Sequence, residues 1–207
     1  AFQESFFEAL KQKAIQNHDR AIRALNICIQ QEPDLAFLYF ERAKNQGALK
    51  QYDLAEQDLV KALELDPNRE SMLVLLYDIY YKTRDYAKAE TIVKKLIPFD
   101  TQYKEDLARI YSQTKKYEEA LGLLEALDIE KGKDLYRERL RASIYNRSGN
   151  GALRTQATEA KIAADPNNEE EYLKLIFLYS EEGNSAKAYE TALKLQKINP
   201  EAEEVQL

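Results

Sequence analysis

The stretch Ala55-Glu56-Gln57-Asp58-Leu59-Val60-Lys61-Ala62-Leu63-Glu64-Leu65, closed by Asp66-Pro67, decides how the whole chain reads. Ala, Leu, Glu, Gln and Lys are strong helix formers, and eleven residues pass without a Gly or Pro to interrupt them. Pro67 cannot continue such a helix, and it pushes the residue before it toward an extended conformation. The Asp66-Pro67 step therefore ends one helix and sets up the start of the next.

The same punctuation recurs. The interval from Pro33 to Pro67 is repeated from Pro166 to Pro200, and the stretch between Pro67 and Pro166 has room for three more intervals, one of them short. Each proline follows an acidic or amide residue: Glu32, Asp66, Asp165 and Asn199. Fifteen residues before the prolines lie His18, Tyr52, Gly151 and Ser185, and Tyr86 and Tyr117 complete the series. Every step in it matches the proline interval except that from Tyr86 to Tyr117, which is shorter by three. Three residues after each member comes Ala21, Ala55, Ala89, Ala120 or Ala188, with Arg154 as the exception; Tyr80, Tyr111, Tyr145 and Tyr179 stand six residues before four of them. A fixed period of this length, about 34 residues, marks a repeat array.

On these residues the chain resembles the tetratricopeptide repeat (TPR) family over about residues 2 to 202. The resemblance implies an all-α fold, an α-solenoid in which antiparallel helix pairs (A and B) stack as a right-handed superhelix. The units are about 2–35, 36–69, 70–100, 101–134, 135–168 and 169–202, in one repeat domain with a short tail at 203–207. The second unit carries the pattern most fully, in Ala43, Tyr52, Ala55, Leu59, Ala62 and Pro67, followed by the sixth, in Tyr172, Leu175, Tyr179, Gly183, Ala188 and Pro200. Three units are expected to depart from the pattern. Tyr77 replaces a small residue, and Pro98 falls three residues early in the third unit. Arg154 is expected to shift or delay helix B of the fifth, and Glu8 to displace helix A of the first by one to three residues.

Composition bounds the chemistry. The 207 residues hold 44% hydrophobic and 32% charged side chains, with only 6 Gly and 5 Pro, as expected of a helical globular protein. The longest apolar run, Met72 to Tyr77, falls far short of the roughly 20 residues of a membrane span. A net charge of −6 argues against nucleic acid as a partner. One cysteine (Cys28) cannot form an internal disulfide, and it takes the place of a small buried residue in helix B. One histidine (His18) reads as a turn residue, and the two together supply no multi-ligand metal site and no nucleophile–base pair. No phosphate loop is present, and Gly149-Asn150-Gly151 lacks the third glycine of a dinucleotide fingerprint. No cofactor and no enzymatic activity are expected. The opening Ala1-Phe2-Gln3-Glu4 reads as a processed or excised start and gives no compartment.

What remains is a surface. The resemblance places positions 2, 5, 9, 12 and 13 of each A helix on the concave face. The candidate partner-binding residues are Phe6, Phe37, Phe40, Lys44, Val74, Tyr81, Arg109, Tyr136, Arg139 and Arg147, aromatic toward the N-terminus and basic in the middle, with only Glu105 opposing. They suit a protein or peptide segment with an apolar anchor and an acidic group. The carboxylate clamp of co-chaperone TPR proteins is not matched, because the relevant positions read Phe6 and Leu10, Phe40 and Lys44, Val74 and Asp78. The expected role is a non-catalytic interaction scaffold, as a monomer or weak homodimer. Two alternatives stay open: homotypic assembly through an uncapped last helix exposing Ala192, Leu195 and Ile198, and service as the interaction arm of a larger envelope or enzyme assembly. Arg42 and Asp58 are expected to pair across the second hairpin.

Overall fold

The computed structural model describes residues 2–149 and 151–200. Among them all regular structure is helical: α1 (Phe2–Ala14), α2 (His18–Gln31), α3 (Ala36–Ala48), α4 (Tyr52–Leu65), α5 (Glu70–Lys82), α6 (Tyr86–Leu96), α7 (Lys104–Gln113), α8 (Tyr117–Lys131), α9 (Leu135–Ser148), α10 (Gly151–Ala164), α11 (Glu169–Glu181) and α12 (Ser185–Ile198). A 3-10 turn, Thr101–Tyr103, leads into α7. The tail expected at 203–207 lies outside the described residues. The chain forms two compact bodies that divide between Thr114 and Lys115.

The six residues of the repeat series, His18, Tyr52, Tyr86, Tyr117, Gly151 and Ser185, are the first residues of α2, α4, α6, α8, α10 and α12. The turn before each has one left-handed residue two positions ahead of the helix: Gln16, Lys50, Arg84, Lys115, Gly149 and Gly183. In four of these turns two backbone bonds close the preceding helix in the same way; at Arg84, for example, Asp85 N–H donates to the Tyr80 carbonyl (2.9 Å) and Arg84 N–H to that of Tyr81 (3.2 Å). This is the Schellman closure, which satisfies carbonyls that a helix end leaves unpaired. The one short step of the series also has a local cause: Pro98 ends α6 after 11 residues, where α2 and α4 run for 14.

One stripe of the B helices makes the core. Counting from the first helical residue, the fourth, eighth and eleventh are buried in α2 (Ala21, Leu25, Cys28), α4 (Ala55, Leu59, Ala62) and α6 (Ala89, Val93, Leu96), and again in α8 (Ala120, Leu124, Leu127) and α12 (Ala188, Ala192, Leu195). Alanine at the fourth position lets the two helix axes of a hairpin approach. In the first body α2 packs on α3, α4 on α5 and α6 on α7; in the second, α8 packs on α9 and α10 on α11. No pair covers its own apolar face, so each depends on its neighbour. Burial draws the Cys28 thiol above its usual range, which suits packing and not reactivity.

Several expectations are corrected. Glu8 does not displace α1, which starts at Phe2, one full period before α3 at Ala36; its carboxylate accepts from Gln12 Nε2 at 2.6 Å on the same helix. Helix α10 is not delayed by Arg154. It starts in phase, and its buried side chains become Thr155 and Thr158. On α12, Ala192 and Leu195 are only 2% and 1% exposed, and Ile198 is half-buried, so the apolar face expected to serve self-assembly is already used within the body. Tyr77 is accommodated because its hydroxyl leaves the hairpin to donate to Asp106 at 3.0 Å.

Left-handed backbone costs a non-glycine residue about 1–2 kcal/mol, against a smaller entropic penalty for glycine in the unfolded chain. Arg84→Gly, at an exposed position, should therefore raise stability by about 0.5–1 kcal/mol in urea denaturation. A loss of stability would contradict this explanation of the turn.

Candidate functional site

In the first body the candidate residues fall on the A helices and form two clusters. On α1 and α3, Phe2 stacks on Phe6 at 6.0 Å, and Phe6 meets Phe37 edge-on at 5.9 Å. Phe37, Phe40 and Lys44 follow one another at helical spacings of three and four. Phe37 is 47% exposed, and the Lys44 ammonium sits 4.7 Å from the Phe40 ring centre. Lys44 pairs with Glu41, as does Lys13 from α1 at 2.7 Å. Burial draws Lys44 below its ordinary range, with Glu41 opposing and Lys13 reinforcing the effect, while the bond to Glu41 raises Lys13. Two cations converging on one buried carboxylate thus tie α1 to α3 below the aromatic strip. Val74 occupies the position equivalent to Phe6 and Phe40 and is half-buried.

The second cluster joins α5 to α7. Tyr81 lies 6.0 Å from Tyr77 and 5.8 Å from Tyr86, and the Arg109 guanidinium covers its ring at 4.6 Å. Arg109 pairs with Asp106 at 3.0 Å, the same carboxylate that accepts from Tyr77. Burial pushes both Asp106 and Tyr77 upward, against the pull of Arg109 on each. Glu105, the acid expected to oppose the arginines, is instead buried and accepts from Gln102.

Two further ties join helices. Arg42 grips Asp58 with two bonds of 2.6 Å and reaches Asn26 at 2.7 Å. The expected pair forms, but Asp58 is buried, so it is more than a solvated surface contact. The tyrosine series also has a use: Tyr80 donates to Glu56 at 2.9 Å, Tyr111 to Glu90 at 3.4 Å, and Tyr179 to Glu159. Burial and then the Glu56 bond push Tyr80 up to about 12. His18 meets Asn45 through Nδ1 at 2.9 Å and stands at the start of α2.

In the second body Tyr136, Arg139 and Arg147 are exposed on α9. None of them lines that body's main cavity, about 1050 Å³ bounded by α8, α9, α10 and α11. Sequence reasoning missed this cavity and the ion network beside it. Asp128 of α8 accepts from Arg137 Nε and Arg141 Nη2, each at 2.6 Å, and Arg137 is only 2% exposed. The available signal was Arg141, which falls at the same helix-A position as Arg42. Glu171 of α11 is buried and pairs with Lys161 and Lys174. Among the described residues no group of three or more His, Cys, Asp and Glu could hold a metal ion, and no helix is long and apolar enough to cross a membrane.

The alternation of short antiparallel helices with a repeated buried stripe defines a helical-hairpin repeat protein. Within that class the fold is the tetratricopeptide repeat (TPR) fold: the tetratricopeptide repeat family model matches residues 48–105, and solved TPR structures share the fold over most of the chain's length. A tetratricopeptide repeat protein from Parabacteroides merdae ATCC 43184 aligns with a TM-score of 0.68 at 16% identity, covering 95% of this chain and 79% of that one. YrrB, a TPR protein with an unusual peptide-binding site, aligns at 0.55 and 18% identity, covering 89% and 97%. The structure of Naa15/Naa10 bound to HypK-THB aligns at 0.63 and 14% identity, covering 95% of this chain and 33% of that chain. No curated protein matches the chain in sequence.

Burial alone would raise the Asp128 carboxyl, but Arg141 and then Arg137 outweigh it and hold Asp128 below its usual range. A depressed folded-state value contributes stability above the unfolded carboxyl's value of about 3.9, and that contribution is lost as pH falls through the lowered value. Acid unfolding followed by circular dichroism should therefore be less steep below about pH 4 for Asp128→Asn than for the wild-type chain. Equal slopes would show that the network contributes nothing.

Proposed function

We propose that the protein is a non-catalytic interaction scaffold that holds a partner segment against the A-helix face of its repeats. The single observation that carries this reading is the Phe2–Phe6–Phe37 strip, which leaves Phe37 nearly half exposed while the adjacent Leu38 is buried. Exposed aromatic rings held by their neighbours are the side chains that dominate interfaces, because little entropy is lost when a partner covers them. Lys44 and Arg109 contribute less free charge than the sequence suggests, since Glu41 and Asp106 already meet them. The first body accordingly suits an apolar or aromatic anchor. On α9, the exposed Arg139 and Arg147 suit an acidic group. The TPR fold, and neighbours that include YrrB with its peptide-binding site and the Naa15/Naa10 assembly with HypK-THB, support a polypeptide partner.

The test is affinity capture from the source organism with the wild-type chain, Phe37→Ala, and the double variant Phe40→Ala with Arg139→Glu. An anchor of this kind contributes about 2 kcal/mol, so Phe37→Ala should weaken recovery of the specific partner roughly thirtyfold while circular dichroism stays unchanged. Undiminished capture by both variants would remove this face from the binding surface.

A further inference from the structure

Helix α1 carries apolar side chains on two faces. One face packs within the first body, through Ala9 and the Phe2–Phe6 pair. The other does not: Phe7 is 72% exposed and Leu10 41%. Gln3 and Ala14, also exposed, extend that stripe, so its members follow one another at spacings of four, three and four. This alternation is the seam of a two-helix contact. The repeat shows the same position in use. Glu41 of α3, one period after Phe7, is buried and receives Lys13 of α1. On α3 the position is therefore covered by a neighbouring A helix, whereas on α1 no helix among the described residues covers it.

Charge decides which helix fits the open stripe. Glu4 and Glu8 lie in the first half of α1, and Lys11 and Lys13 in the second. Glu4 and Lys11 are both exposed and flank the stripe on one side, one behind Gln3 and the other behind Leu10. Where two such helices pack antiparallel, a flanking residue near one end meets its equivalent near the other end of the partner. Setting Phe7 of one copy over Leu10 of a second places Gln3 against Ala14 and Glu4 against Lys11, and the two-fold axis repeats each contact. A parallel pairing would bring Lys11 beside Phe6 and give Glu4 no base. The exposed Tyr189 and Leu193 of α12 fail the same test, because packing them antiparallel sets Glu190 of each copy against the other.

We propose that α1 is a self-association surface, on which two copies of the chain pair through antiparallel α1 helices, with Phe7 and Leu10 at the centre and a Glu4–Lys11 ion pair toward each end. The contact uses the same patch on both copies, so it closes at a dimer. It rests on this stripe alone and not on partner docking at Phe37. Sedimentation equilibrium of the full chain over a concentration series should show a monomer–dimer equilibrium without larger species. Phe7→Ala should weaken the dimer roughly thirtyfold, with circular dichroism unchanged because the side chain is exposed. Lys11→Glu sets like charges together twice and should weaken it roughly tenfold, and adding Glu4→Lys to that variant should restore it. A strict monomer at millimolar concentration, a dimer indifferent to Phe7→Ala, or a double variant no tighter than Lys11→Glu alone would each overturn the proposal. Capture of a partner through Phe37 is read separately and stands or falls on its own.

Discussion

The structure depends on one repeated burial: the fourth, eighth and eleventh residues of every B helix but α10. Ala55, Leu59 and Ala62 are fully buried there, as are Ala120, Leu124 and Leu127. Removing a leucine from such a stripe costs about 2–5 kcal/mol, because the neighbouring helices cannot collapse into the space without losing their own register. With no sheet among the described residues to share the load, stability within each body passes from neighbour to neighbour. The fifth hairpin is the weakest link in that sequence, with threonines where others have aliphatic side chains, and it is also where the main cavity of the second body lies.

Polar groups reinforce the same joints. Glu41 gathers Lys13 and Lys44, Asp58 holds Arg42, Glu56 receives both Tyr80 and Lys88, and Asp128 holds Arg137 and Arg141. Most of these carboxylates stand at a helix–helix seam with their partner on another helix. They fix which faces meet, whereas the apolar stripe supplies the attraction. A buried pair of this type is better evidence of specificity than of net stabilisation, since desolvation offsets much of its Coulombic gain. The aromatic strip differs in kind: Phe37 lies outside any such seam and stays open to solvent.

The period, the helix starts and the buried alanines were legible because each rests on a strong local signal: a proline that cannot be helical, and a contact that admits only a methyl group. The early Pro98 likewise predicts the short α6. The left-handed residues of the connecting turns were not legible, since Gln16, Lys50, Arg84 and Lys115 hold a conformation usually left to glycine, and only the hairpin closure forces it. Glu8 and Arg154 misled for a related reason. Both break the residue pattern without moving the backbone, because a helix anchored on either side can present one atypical side chain outward or to a half-buried flank. At the candidate site, the sequence identified aromatic and basic positions but not how far Glu41 and Asp106 neutralise Lys44 and Arg109, a matter of distances across helices.

Native-state hydrogen exchange at increasing urea tests the central claim most directly, because it reads the opening free energy of each helix in the intact chain. If neighbour-to-neighbour burial carries the fold, the amides of α4 should open at the highest free energies, and those of α9 and α10 at distinctly lower ones. A single opening free energy shared by all the described helices would contradict it.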